Sequence, residues 1–249
     1  MTGKLFTTTA LLFISVFRLA AQGLDEPVIA HIRKNVRNIN VNSGYNNGDW
    51  GPLLKAIRGS KIVLLGEPNH GSKEIFVSRN DLISSLHENA GFDVVLFESG
   101  IGELAVVDLE RDSLSPSQMT NGFFGGWRTG EFEQLMGYLK TNNLSVGGFD
   151  VQRTGNGFKN LLSRVARARV IDSTYYTSLE DRFSAIRLKL TNRQAVYDSV
   201  LAPTNVLVND YRKLLTRLDG DEQSSKELLL TRRILLNRIA FLEYFLQFV

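Results

Sequence analysis

The sequence predicts an α/β fold, in which a partial parallel sheet with flanking helices is followed by an all-helical region. Three apolar runs support the sheet, and each ends on a carboxylate: residues 61–67, 93–98 and 145–150. Runs of this length that are rich in Val, Ile, Leu and Phe are typical of strands buried on both faces. Helical segments separate the runs, and this alternation is typical of parallel strands joined by crossover helices.

The composition of the chain argues against several classes of protein. Its 249 residues suffice for one large domain with a substantial core. The 29 basic residues are balanced by 26 acidic ones and form no aromatic-rich stripe, which argues against nucleic-acid binding. Because there is no cysteine, disulfides, thiolate catalysis and cysteine-ligated zinc are excluded.

The N-terminus has the pattern of a secretory signal peptide. Lys4 precedes an apolar stretch over 5–17, and small residues follow at 20 and 21. We therefore predict a signal peptide over 1–21, a secreted or periplasmic location and no stable membrane insertion after cleavage. The alternatives are an N-terminal membrane anchor or a core helix, although the stretch is shorter than the roughly 20 residues that span a bilayer.

The elements before residue 157 follow from apolar spacing and from helix-end signals. Ser72 is placed to begin the helix after the first strand, and Gly91 is placed to end it. The segment 112–130 is rich in Ser, Gly and aromatic residues, which favours a loop that lines a ligand cleft. The predicted helices cover 24–36, 50–57, 72–90, 101–111 and 131–142.

Beyond residue 157 only helical patterns occur. They cover 161–170, 178–201, 205–218 and 222–248, with a turn at 218–221. We thus predict an α/β catalytic-like domain over 22–157 and a helical region over 158–249. Since three strands make a small sheet and the sequence stops inside an apolar helix, we expect a further C-terminal part of the fold to be absent.

The carboxyl ends of the three strands are the predicted site. Ligands of open α/β sheets bind in the crevice outside these ends, where Glu67, Glu98 and Asp150 should meet. His70, in the turn after the first strand, has an ordinary pKa of about 6.5 and can act as a general base. A turn histidine bonded only to backbone is the alternative. Glu98 is expected to pair with an arginine or to lie in the cleft.

Arg79 lies within the apolar stripe of the helix that follows the first strand. A guanidinium that faces a sheet is costly unless it is paired, and helical side chains lean toward the helix N-terminus. Arg79 should therefore point to the acidic strand ends, unless it extends to solvent.

Three further residues are candidates for substrate binding, each with a structural alternative that we prefer. Asp150 would cap the turn after its strand, Trp127 would be a core aromatic, and Glu131 would be an acidic residue in the first turn of a helix. The chain has no Gly-x-Ser-x-Gly elbow, Walker loop, Gly-x-Gly-x-x-Gly or His-Glu-x-x-His. Serine hydrolases, nucleotide-binding enzymes and zincins are thereby disfavoured.

Together these residues resemble the erythromycin esterase family. The similarity covers roughly residues 25–155 and rests on Gly66-Glu67-Pro-Asn-His70-Gly71, on Arg79, on Phe97-Glu98, on Trp127 with Glu131, and on Gly148-Phe-Asp150-Val-Gln152. The resemblance implies that Glu67, His70, Arg79 and Glu98 form the catalytic cluster. It also implies metal-independent hydrolysis of a small-molecule ester, such as a macrolide lactone, with no cofactor and no metal ligand.

The resemblance also defines what this chain departs from. The family is longer, with a second functional histidine and further strands, and nothing after His87 supplies that histidine. Two alternatives to an esterase therefore stay open. One is a metal-dependent hydrolase, because a Gly-Glu-x-x-His pattern also occurs in Tiki-type peptidases; the other is a non-catalytic binding protein. The oligomeric state is not determined by the sequence.

Overall fold

The computed structural model describes residues 26–36, 50–66, 72–169, 171–191, 197–219 and 225–247. The chain divides into two compact units, Met1–Asn40 and Val41–Val249. In the first unit α1 (Glu26–Asn35) confirms the predicted helix, and its apolar side chains Val28 and Ile32 are exposed. The proposed signal peptide lies outside the described residues. The secreted location and the domain boundaries stay predictions.

The second unit is a mixed α/β fold that is mostly helical. Its described elements begin with α2 (Gly51–Ala56), α3 (Lys73–Ala90), β1 (Val94–Gly100), α4 (Ile101–Leu109), α5 (Pro116–Met119), α6 (Gly130–Thr141) and β2 (Ser145–Asp150). They continue with α7 (Gly157–Ala168), α8 (Ser173–Thr191), α9 (Tyr197–Leu218) and α10 (Lys226–Leu246). In the segment predicted to be a loop, α5 is accompanied by two single-turn 3₁₀ helices, Thr120–Gly122 and Gly125–Trp127.

The ends of α3 agree with the sequence signals. Ser72 has extended backbone angles at the N-cap, although its side chain makes no capping bond. Gly91 adopts the left-handed conformation with φ of 73°, and its N–H donates to the His87 carbonyl at 3.1 Å. The bond from Gly91 to the carbonyl four residues back is that of an αL cap, and the Phe92 N–H donates to the Leu86 carbonyl at 3.3 Å.

The sheet of the described residues has two parallel strands. Val94 of β1 pairs with Ser145 of β2, and the register continues to Phe97 opposite Gly148. An irregularity follows, after which Gly100 pairs with Asp150. Phe97 and Val146 face the buried side of the sheet, whereas Leu96 and Phe149 remain 58% and 60% exposed. Two of the three predicted strands and their parallel direction are thus confirmed.

The predicted first strand is not formed. Residues 61–66 pair with neither β1 nor β2, and Leu64 is 90% exposed. A β-strand is held by main-chain hydrogen bonds to a neighbour, which an apolar sequence alone does not supply. The prediction that this apolar run is a buried strand of the sheet was therefore wrong.

The helical region is confirmed, with one boundary corrected. The sequence predicted helices over 178–201 and 205–218 with a break near Pro203. Instead α8 ends at Thr191, and α9 continues through Pro203. Val200 and Leu207, on either side of Pro203, are both buried in the same core, and this packing outweighs the hydrogen bond that proline removes.

The helix α4 connects the sheet to the helical region. Its residues Leu104 and Val107 belong to the core formed by the sheet, α3 and α6. Val106 of the same helix belongs to the core formed by α7, α8, α9 and α10. A short apolar helix between two cores thus fixes the helical region against the sheet. Within the described ranges, none of the helices combines the length and the apolar character required to span a bilayer.

The conformation of Gly91 leads to a stability prediction. Gly91→Ala should lower the free energy of unfolding by about 1 kcal/mol, because a side chain disfavours the left-handed region. Gly130→Ala is the matched control: Gly130 begins α6, its added Cβ would contact nothing within 4 Å, and no loss is expected. Urea denaturation of both variants measures the difference. Equal stability of the two variants would contradict the left-handed conformation of Gly91.

Candidate functional site

A groove of about 750 Å³ runs along β1 and is lined by three of the predicted site residues, Arg79, Glu98 and Trp127. Five consecutive residues of β1, Val94–Glu98, line one side, and residues 61–66 line another. Arg79, Trp127 and Phe149 also line it. A volume of this size lies within the range typical of small-molecule sites, and the walls are mainly apolar.

Arg79 reaches this groove from α3, in a setting of aromatic rings. Its guanidinium carbon lies 4.9 Å from the ring centroid of Phe76 and 4.9 Å from that of Trp127. The two rings meet edge to face, with centroids 5.9 Å apart. Such contacts stabilise a cation and orient its planar group. The sequence placed Arg79 at the cleft but did not reveal that aromatic faces hold it.

Glu98 is an exposed residue that lines the same groove. Along β1, Leu96 and Glu98 share the open face, because alternate side chains of a strand point to opposite sides. Glu98 therefore introduces a negative charge into an otherwise apolar wall. The structure brings Glu98 and Arg79 to one groove, as predicted, while their catalytic roles stay predictions.

Glu67 and His70 lie outside the described residues. The described segment 61–66 leads directly to Glu67 and ends in the wall of the groove. Their meeting with Arg79 and Glu98 thus stays a prediction of the sequence.

Trp127 and Glu131 occupy the structural positions that the sequence favoured. Trp127 is buried in the aromatic core, with its ring 5.3 Å from Phe132, and it also lines the groove. Glu131 lies in the first turn of α6, and its Oε1 is 3.4 Å from Lys73 Nζ. A hydrogen bond with its own backbone, followed by the contacts with Lys73, holds the pKa of Glu131 below its ordinary value.

A second contact fixes Glu131 to α3, because Asn80 Nδ2 donates to the Glu131 carbonyl at 2.7 Å. These two contacts join the first half of α3 to the start of α6. They explain Glu131 as a residue that orients the helices beside the groove, and its substrate-binding role stays a prediction.

Asp150 caps the turn that follows β2. Its Oδ1 accepts a hydrogen bond from the Gln152 N–H at 3.1 Å, which is the turn geometry that the sequence favoured. Asp150 nevertheless stays at the carboxyl end of the sheet, opposite Gly100 in the register. Its substrate-binding role is untested.

The described part of the chain contains no cluster of three or more His, Cys, Asp or Glu that could hold a metal ion. Because Glu67 and His70 lie outside that part, the metal-dependent alternative is not tested by it. Sequence reasoning also missed groove residues such as Ile62 and Phe149, which are apolar and carry no chemical signal of their own.

Two known proteins are similar in sequence to this chain. YbfO of Bacillus subtilis (strain 168), provisionally named a hydrolase, is 32% identical over 180 residues, which are 70% of this chain and 40% of YbfO. Erythromycin esterase type II of Escherichia coli is 36% identical over 63 residues, which are 25% of this chain and 15% of the esterase. No family model matches the chain.

A solved structure shares the fold. The crystal structure of a Bacillus cereus protein superimposes with a TM-score of 0.53 at 17% identity, over 84% of this chain and 52% of that one. This chain therefore spans less than two thirds of each of these relatives. The comparisons support the resemblance to the erythromycin esterases in part of the sequence.

The aromatic setting of Arg79 leads to a coupling prediction. In a double-mutant cycle, Arg79→Met and Phe76→Leu should show a coupling of about 0.5–1 kcal/mol in the free energy of unfolding, because each removes one partner of the same cation–ring contact. Arg79→Met combined with Phe183→Leu, which lies in the helical core, should be additive. Chemical denaturation of the single and double variants gives both values, and additivity of the first pair would refute the contact.

Proposed function

We propose that this chain acts in the hydrolysis of carboxylic esters, in the manner of the erythromycin esterases. The observation that carries the proposal is the groove that holds Arg79 and Glu98 beside the segment leading to Glu67 and His70. Similarity to a protein named a hydrolase and to a stretch of an erythromycin esterase supports the same reaction class.

In the proposed reaction His70 removes a proton from water, and the resulting hydroxide attacks the ester carbonyl. Glu67 orients His70 and stabilises the charge that it gains. The tetrahedral intermediate collapses with loss of the alkoxide, which receives the proton from His70, so acid, alcohol and free enzyme are restored. General-base catalysis of this kind typically accelerates a reaction by about 10²- to 10⁴-fold.

Arg79 and Glu98 supply the fixed charges of this mechanism. The guanidinium of Arg79 is a cation with several N–H donors, so it suits the oxygen that becomes negative in the transition state. Its contacts with two rings reduce the reorganisation that this interaction requires. Glu98 adjusts the proton balance of the site, and the apolar walls would receive the hydrocarbon part of a small-molecule ester, for which a macrolide lactone is the narrower candidate.

Loss of the general base should remove turnover. His70→Ala should lower kcat/KM for an aryl ester such as p-nitrophenyl butyrate by about 10²-fold or more, and Glu98→Gln should lower it to a smaller extent. The matched controls are His31→Ala and Glu133→Gln, two exposed residues that are not among those lining the groove, and both variants should retain the wild-type rate. Release of nitrophenolate measures all four, and macrolide hydrolysis is followed by mass spectrometry.

Two results would contradict the esterase proposal. One is a His70→Ala variant with the wild-type rate. The other is an absence of turnover in the wild-type chain while ester binding is the same before and after His70→Ala, which would favour the non-catalytic alternative.

Treatment with a chelator distinguishes the esterase from a metal-dependent hydrolase. Because the proposed steps use protein groups alone, dialysis against EDTA should leave the ester hydrolysis rate unchanged. The metal content of the dialysed protein is measured in parallel by plasma mass spectrometry. A rate that falls with the metal content and returns on addition of Zn²⁺ or Mn²⁺ would instead favour the Tiki-like alternative.

A further inference from the structure

A cluster of charged side chains is buried where the helical region meets the carboxyl ends of the sheet. It contains Glu103 of α4, Glu180 of α8 and Arg238 of α10, each with a side chain that is 0% exposed. Arg238 Nη2 lies 3.2 Å from Glu180 Oε2 and 3.8 Å from Glu103 Oε2. One cation thus faces two carboxyl groups in a place without solvent, where an uncompensated charge is costly.

The two carboxyl groups are unequal in their hydrogen bonds. Glu180 accepts one bond from Arg238 and another from the Tyr211 hydroxyl, at 2.9 Å. Neither oxygen of Glu103 has a hydrogen-bond partner among the described residues. Arg238 therefore compensates the negative charge of Glu180. Glu103 lacks such hydrogen bonds, so it is the carboxyl group of the cluster that most readily stays protonated.

The surroundings of Glu103 also suit a neutral carboxyl group. Glu103 Oε2 and the Gln152 carbonyl oxygen lie 2.2 and 2.4 Å from the point where a Cβ atom on Gly100 would stand. The absence of a side chain at Gly100 lets the acid approach the chain that leaves β2. The partial negative charge of that carbonyl oxygen disfavours an ionised Glu103 close to it.

Arg238 joins this cluster to the end of the sheet. Its Nη1 donates to the Val151 carbonyl at 2.8 Å, one residue after β2 ends at Asp150. Its guanidinium also packs on Phe183, with 4.4 Å between the guanidinium carbon and the ring centroid. α10 is thus held to the carboxyl end of the sheet through one side chain.

We propose that Glu103, Arg238 and Glu180 form a proton-dependent latch, which holds α10 to the carboxyl end of the sheet while Glu103 is neutral and weakens when Glu103 ionises. An ionised Glu103 competes with Glu180 for Arg238 and disturbs the bond to Val151. The latch is independent of the proposed ester hydrolysis, since none of its members lines the groove.

Among the described residues Arg238 is the cation that the structure pairs with Glu103, and Arg153 lowers the pKa of Glu103 only through a weaker charge interaction. Arg153, after β2, bonds to Asp181 at 2.8 Å and to the Glu180 carbonyl at 3.2 Å. α7 contributes the apolar Phe158. Burial raises the pKa of Glu103 from 4.5 to about 7; Arg238 opposes this rise, and Glu180 adds to it.

Because the pKa of Glu103 is raised in the folded protein, this residue makes the protein less stable as the pH rises. Between pH 4.5 and about 7 Glu103 keeps its proton in the folded protein and loses it in the unfolded chain. The contribution of Glu103 to the free energy of unfolding therefore falls as the pH rises through this range. Above about 7 both states are ionised, and the loss is complete. Asp181 affects the stability at lower pH, because hydrogen bonds from Lys159 and, to a smaller extent, from Arg153 lower its pKa.

The test compares the full chain with Glu103→Gln, whose amide is neutral at every pH. Between pH 5 and 8 the unfolding equilibrium constant of the wild type, relative to that of Glu103→Gln, should rise by roughly 10- to 100-fold. Glu133→Gln, on the exposed face of α6, is the control and should give a constant ratio. A constant ratio for Glu103→Gln would overturn the proposal.

Hydrogen exchange of the backbone tests the latch itself. After correction for intrinsic rates, amides over 151–155 and along α10 should lose protection from pH 6 to pH 8 in the wild type and keep it in Glu103→Gln. Equal losses in the two proteins would overturn the latch. If the amide variant does not fold, Glu103→Met takes its place. The ¹³C chemical shift of the Glu103 carboxyl group in the wild type reports the titration of that group directly. A titration midpoint at or below pH 4.5 would overturn the proposal.

Discussion

Parallel pairing of β1 with β2 places Gly100 opposite Asp150, although fifty residues separate them in sequence. Both strands end at the same edge, so Glu98, Asp150 and the chain that follows each strand are brought close together. The ladder is short, and other contacts support it. Asp108 of α4 accepts a hydrogen bond from the Val146 N–H at 2.8 Å, and Arg111 donates to the Leu144 carbonyl at 2.5 Å. The crossover helix thus fixes the strand to which it leads.

The two sides of this sheet have different roles. The buried side packs Phe97 and Val146 against α4 and α6, and this packing supplies most of the apolar burial around the strands. The other side stays open along β1 and forms the wall of the groove. Arg79 reaches the groove because α3 packs on the buried core through Phe76 and Ile83, while the guanidinium lies against the ring of Phe76. Stability and the candidate site therefore depend on the same short strand.

Several features were predictable because they are local. Gly91 ends α3 since only a residue without a side chain adopts its left-handed conformation readily, and Asp150 caps the next turn since its carboxylate reaches a backbone N–H two residues on. Pro203 was misjudged for the opposite reason. Its effect on a helix depends on whether the residues on both sides are buried, and burial depends on α7, α8 and α10.

The sequence by itself determined the helices, the two apolar strands with their parallel direction, and the placement of Arg79 and Glu98 near one edge. These follow from periodicity, helix-end residues and the geometry of crossover connections. Only the tertiary structure decided that residues 61–66 stay unpaired, that aromatic rings hold Arg79, and that Glu103 shares one cation with Glu180. The reason is physical: pairing, ring contacts and buried charge depend on groups that are distant along the chain, and their energies are set by the surroundings that folding creates.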